Sequence, residues 1–284
     1  MNKYIEFEEG QYGMRATIKT GWNDSFLELL IKNNIKELEL NDGLGWHGEN
    51  VDFLQYLPSL KSLIIIDFHI KSIEGIHFLK EIIEIQISTY CKIPINFKSF
   101  PNLQVCSFEW IKGSDSLFEC KSIRKLFINN YKKTNSDIFL KFNHLEDLSI
   151  LNSNFENLQG LSELFNLKKL RIANLKKIIS LRGIEQLNNL EELEIQKCKG
   201  IKSISEILKL SKLKRLLLLD MGDIETIKGL ENLNELTLFM FYESTNIIDG
   251  DLTPLLKLKK LTKTSFQNRK HYSHKREFFI KFNS

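Results

Sequence analysis

The sequence predicts an α/β fold built by stacking. It is a curved solenoid, or horseshoe, with a parallel β-sheet on its concave face and short 3₁₀ or α segments on its convex face. Three observations predict it. An apolar-x-x-apolar-x-apolar pattern recurs at a mean step of about 22 residues along nearly the whole chain. Within each copy the apolar residues alternate with period two, which marks a short strand with one face inward. The chain of 284 residues is long for one compact core, yet its four prolines, 42% hydrophobic and 27% charged residues exclude collagen-like, linker and disordered readings. A single unit of this size cannot bury its apolar face, whereas stacked units share one core.

The elements follow in order. Residues 1–33 form an N-terminal cap: Tyr4–Phe7 and Met14–Lys19 alternate like a hairpin around Glu9-Gly10-Gln11. Asn23 or Asp24 then caps a short helix through Leu30. Residues 34–266 hold about eleven repeats. Their strand triplets are Ile35/Leu38/Leu40, Leu60/Leu63/Ile65, Ile82/Ile85/Ile87, Leu103/Cys106/Phe108, Ile123/Leu126/Ile128 and Leu145/Leu148/Ile150. They continue as Leu167/Leu170/Ile172, Leu190/Leu193/Ile195, Leu213/Leu216/Leu218 and Leu233/Leu236/Leu238, with a degraded copy at Leu258/Leu261 where Lys263 takes the third place. A second apolar series at steps of three, such as Ile178/Leu181/Ile184/Leu187, suits a 3₁₀ return path, as do Gly75, Gly160, Gly183 and Gly229 at matching places. Residues 267–284 form a basic C-terminal cap or tail, in which Phe278, Phe279, Ile280 and Phe282 join Phe266 in folding over the last coil.

L-x-x-L-x-L followed by I-x-x-I-x-G-[L/I]-x-x-L resembles the leucine-rich repeat in its 22-residue, internalin-like form, over roughly residues 34 to 266. In that family an Asn usually stands three residues beyond the last strand leucine and bonds the turns of adjacent coils. Here the place holds Gly43, Phe68, Tyr90, Ile111, Tyr131, Ser153, Leu175, Cys198, Met221 and Phe241. The expectation is a column of aromatic and aliphatic packing in place of a buried amide ladder.

Composition and motifs narrow the function. A formal charge of +4 is too small to argue a nucleic-acid or membrane partner. The charge is uneven: nine basic side chains and one acid, Glu277, lie from Lys257 onward, which leaves the body mildly acidic. Nucleic-acid binding through this basic tail and Tyr272 is the alternative reading, and the acidic body argues against it. The first residues reach acids at once, without the apolar run of a leader or the ~20 residues of a membrane helix. Cys91, Cys106, Cys120 and Cys198 show neither CxxC pairing nor regular spacing, so reduced thiols in a cytoplasm are expected. No H-E-x-x-H, G-x-S-x-G or Walker loop is present, His271 and His274 lack a third metal ligand, and Gly43–Gly48 reads as a loop extension. The chain is therefore expected to be no enzyme and to need no metal or cofactor.

The informative positions are those that alternation turns toward the concave face. Apolar Ile64, Ile66, Phe127, Leu151, Leu217, Leu219 and Phe239 are expected there, with Trp110 one residue past its strand. Charges come in blocks: Glu37, Glu39, Glu84 and Glu109 early, Lys169 and Arg171 in the middle, Glu192, Glu194 and then Arg215 beyond. Exposed apolar patches mark interaction surfaces, and charge blocks orient a partner. These residues are the expected partner-binding set for another protein. The Ile-, Lys- and Asn-rich composition looks bacterial, and the resemblance implies a role such as an immunity protein that neutralises a toxin or effector.

Overall fold

A computed structural model describes residues 3–282, with side chains as far as Phe279. The chain divides into two units, Met1–Ile128 and Asn129–Ser284. The first unit opens with an antiparallel hairpin of β1 (Ile5–Glu9) and β2 (Met14–Ile18), followed by α1 (Ser25–Lys32). Asn23 starts α1 by accepting the Ser25 N–H at 3.0 Å, and Phe26 and Leu30 are its buried side chains. Then come β3 (Glu37–Asn41), β4 (Ser62–Ile66), β5 (Glu84–Ser88), β6 (Val105–Glu109) and β7 (Lys125–Asn129). From β2 onward each strand lies parallel beside its predecessor in chain order.

The second unit repeats the scheme with β8 (Asp147–Leu151), β9 (Lys169–Ala173), β10 (Glu192–Gln196) and β11 (Arg215–Leu219). A two-residue β12 (Asp223–Ile224) precedes β13 (Leu238–Tyr242), and β14 (Asn246–Ile247) precedes β15 (Lys263–Phe266). β8 to β11, β13 and β15 form one parallel array, while β12 pairs with β14 in a separate two-stranded sheet. α2 (Arg276–Phe282) closes the described chain.

Each coil returns through a short 3₁₀ segment, for example Glu74–Phe78 or Ile184–Gln186. Three residues per turn eclipse side chains three apart, so Ile73, Ile76 and Leu79 all face the core and are fully buried. The matching glycines exist because successive coils touch there. A Cβ added at Gly75 would overlap the Val51 carbonyl oxygen, and one at Gly160 the Ser136 carbonyl oxygen.

The strand frame differs from the sequence reading at the end of the array. Leu216 lies opposite Phe239 and Leu218 opposite Phe241, so the inward pair of β13 is Phe239/Phe241, three residues past Leu236. The next inward pair is Thr264/Phe266. The pattern L-x-x-L-x-x-[apolar]-x-[apolar] fits itself when shifted by three, and Leu233/Leu236/Leu238 is that shifted match.

The turn after the strand also departs from expectation. In the second unit Asn130, Asn152, Asn174, Lys197, Asp220 and Glu243 sit in the left-handed region, with φ between +49° and +66°. The amide of Asn152 donates to Ala173 O, that of Asn174 to Gln196 O and that of Lys197 to Leu219 O, which extends the ladder by one residue. This kink reverses the alternation, so the next residue (Tyr131, Ser153, Leu175, Cys198 or Met221) turns inward and is buried. After β4 and β5 there is no such kink: Asp67 and Thr89 are buried instead, and Phe68 and Tyr90 are thrown outward, 40% and 74% exposed.

The column is not purely apolar either. Thr245 Oγ1 accepts from the Met221 N–H at 3.0 Å and donates to Leu218 O at 2.9 Å. Ser153 Oγ accepts from the Tyr131 N–H and donates to Leu151 O, and Asp67 Oδ1 accepts from the His69 and Ile70 amides. Short hydroxyls and one carboxylate satisfy backbone donors that an amide would otherwise meet.

At the C-terminal end Phe279 is buried 5.8 Å from Phe266, whose ring stacks on Phe241. Tyr272 Oη accepts from the Ile247 N–H, His271 Nε2 meets Ile247 O, and Arg269 Nη2 donates to Thr245 O. Phe278 is half exposed rather than folded under, and the expected contributions of Ile280 and Phe282 lie outside the described side chains.

Candidate protein-binding surface

Residues that alternate with the buried strand side chains form the open face of each sheet, and it is laid out in rows. In the first unit the N-terminal hairpin reaches over part of that face. Glu37 is not a free surface acid: its side chain is 2% exposed. It accepts from the Tyr12 N–H and from Arg15 Nε and Nη2, at 2.5, 2.9 and 2.6 Å. A side chain on Gly10 would occupy the space of this carboxylate. Hydrogen bonding to Glu37 raises the Arg15 pKa further, outweighing partial burial. The neighbouring Glu84 is bonded by Ser62 Oγ and by Tyr12, whose pKa is raised by burial and then by the Glu84 charge. Glu39 accepts from Asn41 Nδ2 at 3.1 Å. The hairpin therefore consumes Glu37 outright and engages Glu84.

Ile64, Ile66 and Phe127 are half exposed on this face, as expected, with polar Gln86, Ser88 and Ser107 between them. Glu109 ends β6 half exposed. Trp110 packs back on its own coil, stacked on Phe118 at 5.6 Å. The exposed pair Phe68 and Tyr90, 4.9 Å apart, stands at the edge of β4 and β5. Sequence reasoning assigned both to the buried column, because nothing in their types signals that the preceding turn lacks a kink.

In the second unit, one row runs Asp147, Lys169, Glu192, Arg215, Leu238, Lys263. The next runs Ser149, Arg171, Glu194, Leu217, Met240, Ser265, and the third Leu151, Ala173, Gln196, Leu219, Tyr242. The charge blocks read from the sequence thus pair with one another across strands. Lys169 lies 3.0 Å from Glu192, and Arg171 lies 2.9 Å from Glu194. Such half-exposed pairs contribute at most about 1 kcal/mol each, and they leave the block over β9 and β10 nearly neutral.

Beyond them the face turns apolar. Leu217, Leu219, Met240 and Tyr242 are adjacent and half exposed, with Leu238 beside them. Phe239, expected here, is fully buried, because the frame shift turns it into the core and brings Met240 and Tyr242 out. The signal that could have found them was the Leu261-x-x-Thr264-x-Phe266 spacing, which fixes the frame from the far side.

Chemistry elsewhere is sparse. Among the described residues no three His, Cys, Asp or Glu side chains converge to hold a metal ion, and no helix is long and apolar enough to cross a membrane. Burial pushes the Cys120 and Cys198 thiols up to about 11 and Cys106 higher still, away from the thiolate a nucleophile needs.

No family model and no curated protein matches the chain. Solved structures do match. An internalin, InlF, from Listeria monocytogenes is 16% identical, with TM-score 0.56 over 90% of this chain and 87% of that one. A leucine-rich-repeat protein from Leptospira interrogans is 18% identical, with TM-score 0.60 over 89% of this chain and 72% of that one. The TLR13 chain of a TLR13–ssRNA13 complex is 22% identical, with TM-score 0.62 over 89% of this chain, which spans 44% of it. With the repeat period, the parallel strands and the 3₁₀ returns, these likenesses establish that the chain has the leucine-rich-repeat fold.

Proposed function

We propose that this protein is a non-enzymatic binding module that holds another protein on the open face of its sheet and the loops beside it. Leucine-rich-repeat folds commonly serve as protein-interaction modules, since stacked repeats present extended surfaces. The observation that carries the reading is the half-exposed cluster of Leu217, Leu219, Met240 and Tyr242, held by strand register on a face that water would otherwise wet. The finer reading is a cytoplasmic bacterial immunity or inhibitor protein that covers the working surface of a toxin or effector. It is supported by the composition and by the bacterial provenance of two of the similar structures.

Capture from a lysate with wild-type bait and with a Leu217→Asp/Met240→Asp bait, read by mass spectrometry, tests the module. A protein retained by the first and lost from the second is the expected result, and identical retention contradicts the reading. The inhibitor role predicts that co-expression restores growth of cells made to produce the captured protein. Growth arrest unchanged by co-expression excludes it.

A further inference from the structure

We propose that the face of β11, β13 and β15 accepts a protein segment in which one or two carboxylates flank an apolar side chain. The inference rests on the protein-binding reading above and names the chemistry of the partner. Leu217 lies directly opposite Met240, and Leu219 opposite Tyr242. Side chains so paired stand roughly 5 Å apart and make one continuous apolar floor. The row bordering that floor runs Arg215, Leu238, Lys263.

What marks this border is incomplete neutralisation directly beside an apolar floor. Several cations on and beside the sheet are matched closely: Lys169 to Glu192 at 3.0 Å, Lys214 to Glu191 at 2.9 Å and Lys260 to Glu235 at 2.7 Å. Among the described residues Arg215 has only Glu192, at 3.9 Å, and that carboxylate already holds Lys169. Lys263 has no acidic partner among the described residues. Across the floor the opposite border carries acids, Asp220, which is paired with Lys199 at 3.1 Å, and exposed Glu243, so the cations stand on one side alone. Two cations on one side of an apolar floor favour a carboxylate there and repel a basic segment. A nucleic acid would satisfy the cations but offers no apolar side chain to the floor, so a polypeptide fits better.

The test pans a library of random phage-displayed peptides against the immobilised full chain. Three forms are used: wild type, Arg215→Glu/Lys263→Glu and Leu217→Asp/Met240→Asp, each checked for an unchanged thermal midpoint. Wild type is expected to enrich peptides with Asp or Glu next to Leu, Phe or Trp. Their affinity is expected to fall about tenfold or more on the charge-reversed form, with selection there turning toward Lys and Arg. Enrichment without acidic bias, or no enrichment at all, overturns the proposal. Loss on Leu217→Asp/Met240→Asp but not on the charge-reversed form removes the carboxylate claim and leaves the binding face standing. Binding indifferent to both variants removes the face itself.

Discussion

Glu37 shows how a single carboxylate can be committed to folding. It is buried under the hairpin turn, and Arg15 and the Tyr12 amide supply its counter-charge and hydrogen bonds. Removing one partner of such a pair strands the other in a poorly hydrated place, at a cost of about 3 kcal/mol or more. Glu37→Ala is therefore expected to lower stability in urea unfolding by that order, and a change below about 0.5 kcal/mol would show the contact to be incidental. His77 is a second case. Its Nε2 accepts from the Asn96 N–H at 2.9 Å while Nδ1 meets Glu74 O at 3.0 Å, an arrangement that needs the neutral ring. Burial lowers its pKa, partly opposed by the bond to Glu74. Below about pH 6.5 the unfolded chain takes up a proton that the folded ring resists, so stability falls as pH drops through that range and is flat above it. Melting temperatures from pH 7.5 to 5.5 should show this fall in the wild type and a shallower one in His77→Gln. Equal slopes would contradict the assignment.

At the scale of the element, most of the coil was legible in the sequence. Period-two alternation located the strands because buried Leu and Ile at those places have no competing explanation, and the three-residue series located the returns. Two things were hidden. The frame of β13 was ambiguous because leucines three apart run from the return straight into the strand, so Leu238 and Phe239 exchanged roles. The left-handed turn was hidden because Asn, the residue that marks it, gives way to Lys197, Asp220 and Glu243 in later coils. A side chain with a Cβ is strained there by about 1 kcal/mol, which glycine relieves. Lys197→Gly should accordingly be neutral or stabilising by up to about 1 kcal/mol, whereas Gly in a strand interior costs a similar amount. Gly160→Ala should act oppositely, because its new Cβ meets the Ser136 carbonyl; a loss of about 2 kcal/mol or more in urea unfolding is expected. An unchanged midpoint in Gly160→Ala would mean that the coils are spaced more loosely than described.

At the scale of the molecule, the sequence placed apolar side chains on the open side of the strands but misjudged which ones stand there. The charge blocks are largely spent on one another, Glu37 is taken by the hairpin, and the apolar cluster is made by Met240 and Tyr242 with Leu217 and Leu219. Tertiary pairing, invisible in a linear reading, decides which charged and apolar groups remain available. The basic end is likewise partly engaged, since Arg269, His271 and Tyr272 bond the turn after β13 and β14. The most direct measurement compares the captured partner's affinity for the wild type, for Leu217→Asp/Met240→Asp and for Ile179→Asp, by biolayer interferometry. Ile179, 73% exposed, is more open to water than Leu217 or Met240 but lies on a return segment and not on the sheet. Affinity should drop about tenfold or more for the strand variant and stay within about twofold for Ile179→Asp. A loss confined to Ile179→Asp would place the partner on the other side of the coils and contradict the account.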